Sequence, residues 1–293
     1  MTRGGFVALA GRPNVGKSTF VNAVVGEKVA IVSDRPQTTR RAIRGVHRSG
    51  DCQIVLVDLP GVQRPRDALT TRMARRVQYE LEGADTSLLM LNAQQGVGPG
   101  DRFIAGVLES GKRPVTIAVN KVDRLSRSAL VEVLEQAAQL APGAEVFPIS
   151  ARRGTGVPEL VEYLTTLMPE GPFLFAPDAK SDQARELLLA ELIREAVIRR
   201  TFQELPHAVE VVVEEIETSR EGLVSVRALI WVESDSQKGI LIGARGQMVK
   251  AIGTAARREL QRVLGCQVHL ELMVRVRRDW RADEGLLDRL GIT

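Results

Sequence analysis

The chain has 293 residues, 44% apolar and 26% charged, with net charge +4 and only two cysteines, Cys52 and Cys266. That balance excludes disordered, collagen-like and coiled-coil chains, and no apolar run reaches the ~18–20 residues of a membrane span. Isolated cysteines fit neither a disulfide framework nor a zinc site, and the first residues carry no secretory pattern, so a cytoplasmic protein of two domains is expected.

In chain order, apolar runs at 6–10, 53–57, 86–91, 115–119 and 146–149 predict buried strands. Apolar spacings of three and four at 70–81, 102–108, 130–140 and 157–167 predict helices between them. Such alternation gives an α/β fold, a largely parallel sheet covered on both faces. From Met168 to Asp178, three prolines and a glycine stop any helix or central strand. The expected division is a first domain at 1–170, a linker at 171–181, a second domain at 182–281 and a C-terminal tail at 282–293. In the second domain 182–205 reads as one long helix, and 208–217 and 223–232 as strands around a turn near Arg220-Glu221-Gly222. A short helix at 237–241 precedes a second helix whose apolar face is Val249, Ile252, Ala256, Leu260 and Val263, and 267–277 alternates strictly, as a strand does.

Charge is distributed unevenly along this plan. Residues 1–177 carry +5, 178–237 carry −6, 238–281 carry +7 and the last twelve −2. A reversal that sharp in the C-terminal third predicts a face that meets a polyanion.

Gly11-Arg12-Pro13-Asn14-Val15-Gly16-Lys17-Ser18 follows the first predicted strand and opens a helix, the setting that a G-x-x-x-x-G-K-[ST] phosphate loop needs. Its backbone N–H groups, with those of the helix start at Thr19, converge on phosphate oxygens. Lys17 then neutralises the β- and γ-phosphates and Ser18 holds Mg²⁺. In Asp58-Leu59-Pro60-Gly61 the carboxylate reaches Mg²⁺ and Gly61 offers its N–H to a γ-phosphate, with Val62 next in line. Asn120-Lys121-Val122-Asp123 follows a further strand: Asp123 matches the N1–H and 2-amino edge of guanine, which adenine lacks, and the Lys121 stem lies along the base. Ser150-Ala151-Arg152 places a backbone N–H near guanine O6. The four segments in order predict a GTP/GDP site with Mg²⁺. Between the first two, Pro36-Gln37-Thr38-Thr39-Arg40 offers a threonine, Thr39 in preference to Thr38, to complete the Mg²⁺ shell only when a γ-phosphate is bound.

Val62 stands where Ras-like proteins place a water-orienting glutamine, with Gln63 the nearest substitute, so slow basal hydrolysis is expected. Catalysis falls to Lys17, Thr39, Gly61 and Asn14. The pairing of Asn14 with Val62 is shared by related GTPases that use K⁺ near the β–γ bridge, so K⁺ is an expected second cation.

Gly243-Ala244-Arg245-Gly246, between two helices and beside three strands, has the layout of a type II KH domain. The glycines let a nucleic-acid backbone lie close, and Lys238, Arg245, Lys250, Arg257 and Arg258 supply charge around Ile242 and the loop. Rival readings are an RNA-binding scaffold whose nucleotide only stabilises the fold, and a small-molecule kinase, which the guanine motifs disfavour.

With Gln37-Thr38-Thr39-Arg40, Ser236-Gln237-Lys238-Gly239-Ile240-Leu241-Ile242-Gly243, Val268-His269-Leu270-Glu271-Leu272 and Leu290-Gly291, these motifs resemble the Era family of bacterial GTPases over essentially the whole chain. The resemblance implies a monomeric GTP-controlled factor in small-subunit (30S) ribosome assembly that binds the 3′ end of 16S rRNA through its KH domain. It also implies peripheral membrane association, for which the sequence has no independent sign. Leu59 and Asn92 depart from the family, which usually has Thr and often Asp there.

Overall fold

Burial on both faces orders the first sheet. In β1 (Arg3–Ala10), Val7 and Leu9 face one side while Ala8 and Ala10 face the other, all four buried. The alternation recurs in β3 (Cys52–Asp58), β4 (Thr86–Asn92) and β5 (Val115–Asn120). One face packs α1 (Lys17–Val25) and α5 (Val157–Thr166) through Phe20, Val21, Leu160 and Leu164. The other packs α2 (Ala68–Gly83), α3 (Pro99–Ser110) and α4 (Arg127–Ala138) through Val77, Ile104, Leu108 and Ala137. The strand order is β2-β3-β1-β4-β5-β6, with β2 (Ile43–Ser49) antiparallel to β3 and the rest parallel through β6 (Val146–Ile149). The loops after β1, β3, β5 and β6 therefore leave one edge of the sheet together, where ligands of open α/β sheets bind.

This computed structural model describes residues 1–33, 38–62, 65–111, 113–203, 205–219 and 222–292. Pro36, Gln37, Gln63 and the expected turn at Arg220 and Glu221 lie outside them. The chain divides into one unit of Met1–Pro65 with Thr70–Asp182 and another of Arg66–Leu69 with Gln183–Thr293.

The second unit contains α6 (Arg185–Ile198), α7 (Leu205–Ala208), β7 (Glu210–Thr218), β8 (Val224–Val232), α8 (Asp235–Ile242), α9 (Gln247–Leu264), β9 (Val268–Val276) and α10 (Glu284–Arg289). Its sheet runs β7-β8-β9, with β7 antiparallel and β9 parallel to β8. Ile252, Ala256 and Leu260 turn one stripe of α9 inward.

Three expectations need correction. The long helix expected over 182–205 is two helices, Arg185–Ile198 and Leu205–Ala208, and Gln203 between them takes a left-handed φ of 57° that a continuous α-helix cannot contain. The segment 171–181 is not a bare linker, since it is fastened within the first unit. Buried Gln53 accepts from Leu174 and Phe175 N–H at 2.8 and 2.9 Å and donates to the Phe175 carbonyl at 3.0 Å, while Val46 N–H donates to Lys180 O at 2.9 Å. Nor is 282–293 a tail: Leu286, Leu287, Leu290 and Ile292 are buried beyond Trp280, whose indole donates to Ala208 O at 3.0 Å.

Candidate functional site

The loop after β1 turns sharply to enter α1, and its glycines are sterically required. Gly16 has φ 105°, and a Cβ there would stand 2.2 Å from Asn120 Nδ2. Val15 is wholly buried in the core, so only its backbone serves the loop. Lys17 Nζ donates to the Gly11 and Arg12 carbonyls at 3.1 and 3.2 Å, poised across the arc. Burial lowers the Lys17 pKa, and the Asp58 charge partly restores it. Pro13, Asn14, Gly16, Lys17, Ser18 and Thr19 line the cleft together with Thr38, Thr39 and Gly61. Ile31, Val32 and Ser33 complete its wall. Those three were missed, because an apolar pair before a polar loop carries no motif. Arg12 belongs to the loop by backbone alone, since its side chain pairs with Asp101.

Three oxygen donors converge beside the loop. Ser18 Oγ donates to Asp58 Oδ2 at 2.5 Å, and Thr39 Oγ1 lies 3.2 Å from Ser18 Oγ and 3.5 Å from Asp58 Oδ2. Asp58 Oδ1 is buried with no hydrogen-bond partner among the described residues. Burial pushes the Asp58 pKa up to about 6, against the Lys17 charge and the two hydroxyls, which lower it. Two hydroxyls and a carboxylate whose second oxygen is buried and orphaned form a hard-oxygen set that fits Mg²⁺. Of the two threonines, Thr39 is the one whose hydroxyl meets Ser18 and Asp58. Leu59 is buried in the core under α2, so its side chain is no part of the cleft, and the departure from Thr there is a packing change. Pro60 is buried beside it, while Val62 packs against the apolar clusters on the α2 and α3 face. Asn92 caps the short turn after β4, its Oδ1 accepting from Gln94 N–H at 3.1 Å, which an amide does as well as a carboxylate.

The loops after β5 and β6 are tied to the phosphate loop through Asn120. Its Nδ2 donates to Val15 O at 2.8 Å, and its Oδ1 accepts from Lys121 and Ala151 N–H at 2.8 and 2.9 Å. Lys121 takes a left-handed φ of 69° and sends Nζ to Asn14 O at 2.7 Å, a second tie to the loop after β1. Asp123 Oδ1 accepts from Ser150 Oγ at 2.7 Å, and Oδ2 lies 3.4 Å from exposed Arg153, a contact that no motif in the sequence marks. The Ser150 hydroxyl holds the Asp123 pKa below the usual carboxylate range, with Arg153 adding to it, so the carboxylate is ionised at neutral pH.

In the second unit α8 runs into Gly243, whose φ is 70° and where a Cβ would lie 2.8 Å from Met248 Cβ. Arg245 follows with φ 51°, and α9 starts after Gly246. Ala244, Arg245, Lys250 and Arg257 are exposed, while Lys238, Ile242, Gly243 and Gly246 are half-buried. The turn thus offers backbone and cations together, beside the first N–H groups of an eighteen-residue helix.

Residues 6–121 match the family described as 50S ribosome-binding GTPase, and residues 204–281 match the KH domain. GTPase Era of Lactobacillus helveticus (strain DPC 4571) is 41% identical over 289 residues, covering 99% of this chain and 96% of that protein. Two crystal structures superpose with TM-score 0.95 at 34% identity, each covering all of both chains. One is a variant of Aquifex aeolicus Era bound to GDP and AlF₄⁻, and the other is Era in complex with MgGDPNP and nucleotides 1506–1542 of 16S ribosomal RNA. At that identity over nearly its whole length, joining a GTPase domain to a C-terminal KH domain, this chain belongs to the Era family of GTPases.

Proposed function

We propose that the protein is a GTP-controlled switch that binds the 3′ end of 16S rRNA through its KH unit and acts in 30S subunit assembly and rRNA processing. One observation carries the reading: a guanine-nucleotide cleft and a basic Gly243–Gly246 turn occur in one chain that matches, end to end, a relative crystallised with both MgGDPNP and 16S rRNA. Lys17 leaves the loop carbonyls for the β- and γ-phosphates, and Ser18, Thr39 and Asp58 hold Mg²⁺, which when bound offsets charge on the phosphate oxygens. Gly61 directs its N–H to the γ-phosphate. Asp123 reads guanine with Asn120, Lys121, Ser150, Ala151 and Arg152 around the base. Val62, turned toward the apolar clusters, cannot orient water, so basal hydrolysis is slow. Lys238, Ile242, Gly243, Ala244, Arg245, Gly246, Lys250 and Arg257 form the RNA contact.

No helix among the described residues is long and apolar enough to cross a membrane. The reading puts the protein in the cytoplasm as a monomer, with membrane contact, where it occurs, peripheral. The test is filter binding of a 16S 3′-end oligonucleotide across a salt series. Ala244→Asp with Arg245→Asp should weaken binding by ~2 kcal/mol and flatten the salt slope, which is near −0.7 per neutralised single-strand phosphate. GTP hydrolysis without RNA should not change. Wild-type affinity and slope in the double variant would remove the turn from the RNA contact.

A further inference from the structure

Arg12 is the second residue of the phosphate loop, yet its side chain leaves the nucleotide cleft. Its Nε donates to Asp101 Oδ1 at 2.9 Å, and Nη2 lies 2.9 Å from Oδ2 and donates to the Gly96 carbonyl at 3.2 Å. Asp101 is wholly buried in the first turn of α3, where Oδ2 also accepts the Gly98 N–H at 2.9 Å. The start of α3 is shaped around this arginine. A Cβ on Gly100 would stand 2.9 Å from Arg12 Cδ and 3.3 Å from Cγ, and one on Gly98 would lie 3.6 Å from Nη1. A guanidinium meeting a carboxylate at two points is fixed in orientation as well as distance. The next residues, Pro13 and Asn14, line the cleft, and Pro13 is packed so closely on Gly61 that a Cβ there would come 2.8 Å from its Cγ.

We propose that Asp101 is a positioning residue for nucleotide binding and hydrolysis. Through its two-point contact with Arg12 it clamps residues 11–14 of the loop to the start of α3. The N–H groups that cradle phosphate are then aligned before nucleotide arrives. This rests on the reading of the Gly11-to-Ser18 segment as the phosphate loop. A cradle of backbone donors works only while its members stay aligned, and a displacement of about 1 Å costs up to ~100-fold in rate.

Two substitutions in the full chain separate positioning from bulk stability. Asp101→Asn removes the charge at constant size. Gly100→Ala leaves both charged groups in place and favours the helix, but drives a methyl group into Arg12. Release of a fluorescent GDP analogue in stopped flow should accelerate by ~10-fold or more in both. The melting temperature of nucleotide-free Gly100→Ala should fall less than that of Asp101→Asn, because the helix gain offsets part of the clash, so release accelerated alike in both is a combination that a merely structural role for the pair does not produce. Asp101→Glu, which keeps the charge, should recover part of the loss. If Asp101→Asn fails to fold, Gly100→Ala decides alone, and release at the wild-type rate in that variant overturns the proposal. Lys17→Ala tests the loop reading separately. Unchanged GDP affinity there discards the phosphate loop itself, whereas lost affinity there with wild-type release in Gly100→Ala discards only the clamp.

Discussion

Replacing Asn120 with alanine should damage the first unit and the nucleotide site together. The side chain is 2% exposed and makes three hydrogen bonds, to Val15 O at 2.8 Å and from Lys121 and Ala151 N–H at 2.8 and 2.9 Å. Alanine strands the Val15 carbonyl and the Ala151 N–H in buried surroundings, and each such loss costs ~1–3 kcal/mol. The Lys121 N–H is only partly buried and adds less. The expected loss of stability is about 3 kcal/mol, a large share of the ~5–15 kcal/mol that holds a typical domain folded. Because the same side chain fastens the base loops to the phosphate loop, GDP affinity should fall by ~10- to 100-fold as well. Urea unfolding followed through Tyr79 and Tyr163, which both belong to the first unit, and calorimetric titration with GDP measure the two effects. Asn120→Asp isolates one bond, since its oxygens still accept from Lys121 and Ala151 but repel the Val15 carbonyl. A stability change under 0.5 kcal/mol with wild-type GDP affinity in the alanine variant would refute the cross-brace.

Asp123→Asn should lower GTP affinity and raise XTP affinity, because an amide matches the 2-carbonyl edge of xanthine; unchanged discrimination in a competition assay would exclude Asp123 from base reading. Hydrolysis should run faster in K⁺ than in Na⁺ at equal ionic strength, with the difference gone in Asn14→Ala, and equal rates in the two salts would remove K⁺ from the mechanism. Burial lifts Asp58 from 3.8 to about 6 in the folded chain, so the neutral carboxyl is favoured there and its stabilising effect is lost as pH rises through that value. Metal- and nucleotide-free protein should therefore lose stability between pH 5 and pH 7 relative to Asp58→Asn, compared by urea midpoints in chelator; parallel profiles would show that Asp58 is not buried as an acid.

The strands of the first sheet were legible wherever both faces are covered, because short, mostly apolar runs such as 53–57 and 86–91, set between longer helical patterns, read as buried strands. β2 was not. It is an edge strand of mixed polarity, and its Gly45, which in sequence suggests a turn, is there because a Cβ would come 2.5 Å from Val21 in α1. The site was legible in its motif residues, whose chemistry is local, but not in its cross-links. Nothing in Gly11-Arg12-Pro13 announces Asp101, and nothing in Asn120 announces Val15, since those partners lie 89 and 105 residues away. Nothing in the spacing announces Arg153 beside Asp123 either, since that approach depends on the backbone turn at Ser150. The segment 171–181 looked like a spacer because prolines exclude regular structure. They do not exclude hydrogen bonding to a buried side chain such as Gln53.

The central claim is that nucleotide state controls RNA binding, and a single thermodynamic measurement bears on it most directly. Affinity for a 16S 3′-end oligonucleotide would be measured on the full chain loaded with GDP and with a non-hydrolysable GTP analogue, at one fixed salt concentration. A switch predicts tighter binding in the triphosphate state by ~5- to 150-fold, with the reciprocal gain in analogue affinity when RNA is present. Equal RNA affinities in the two states, with both nucleotides bound, would contradict the account and leave an RNA-binding protein whose nucleotide only stabilises its fold.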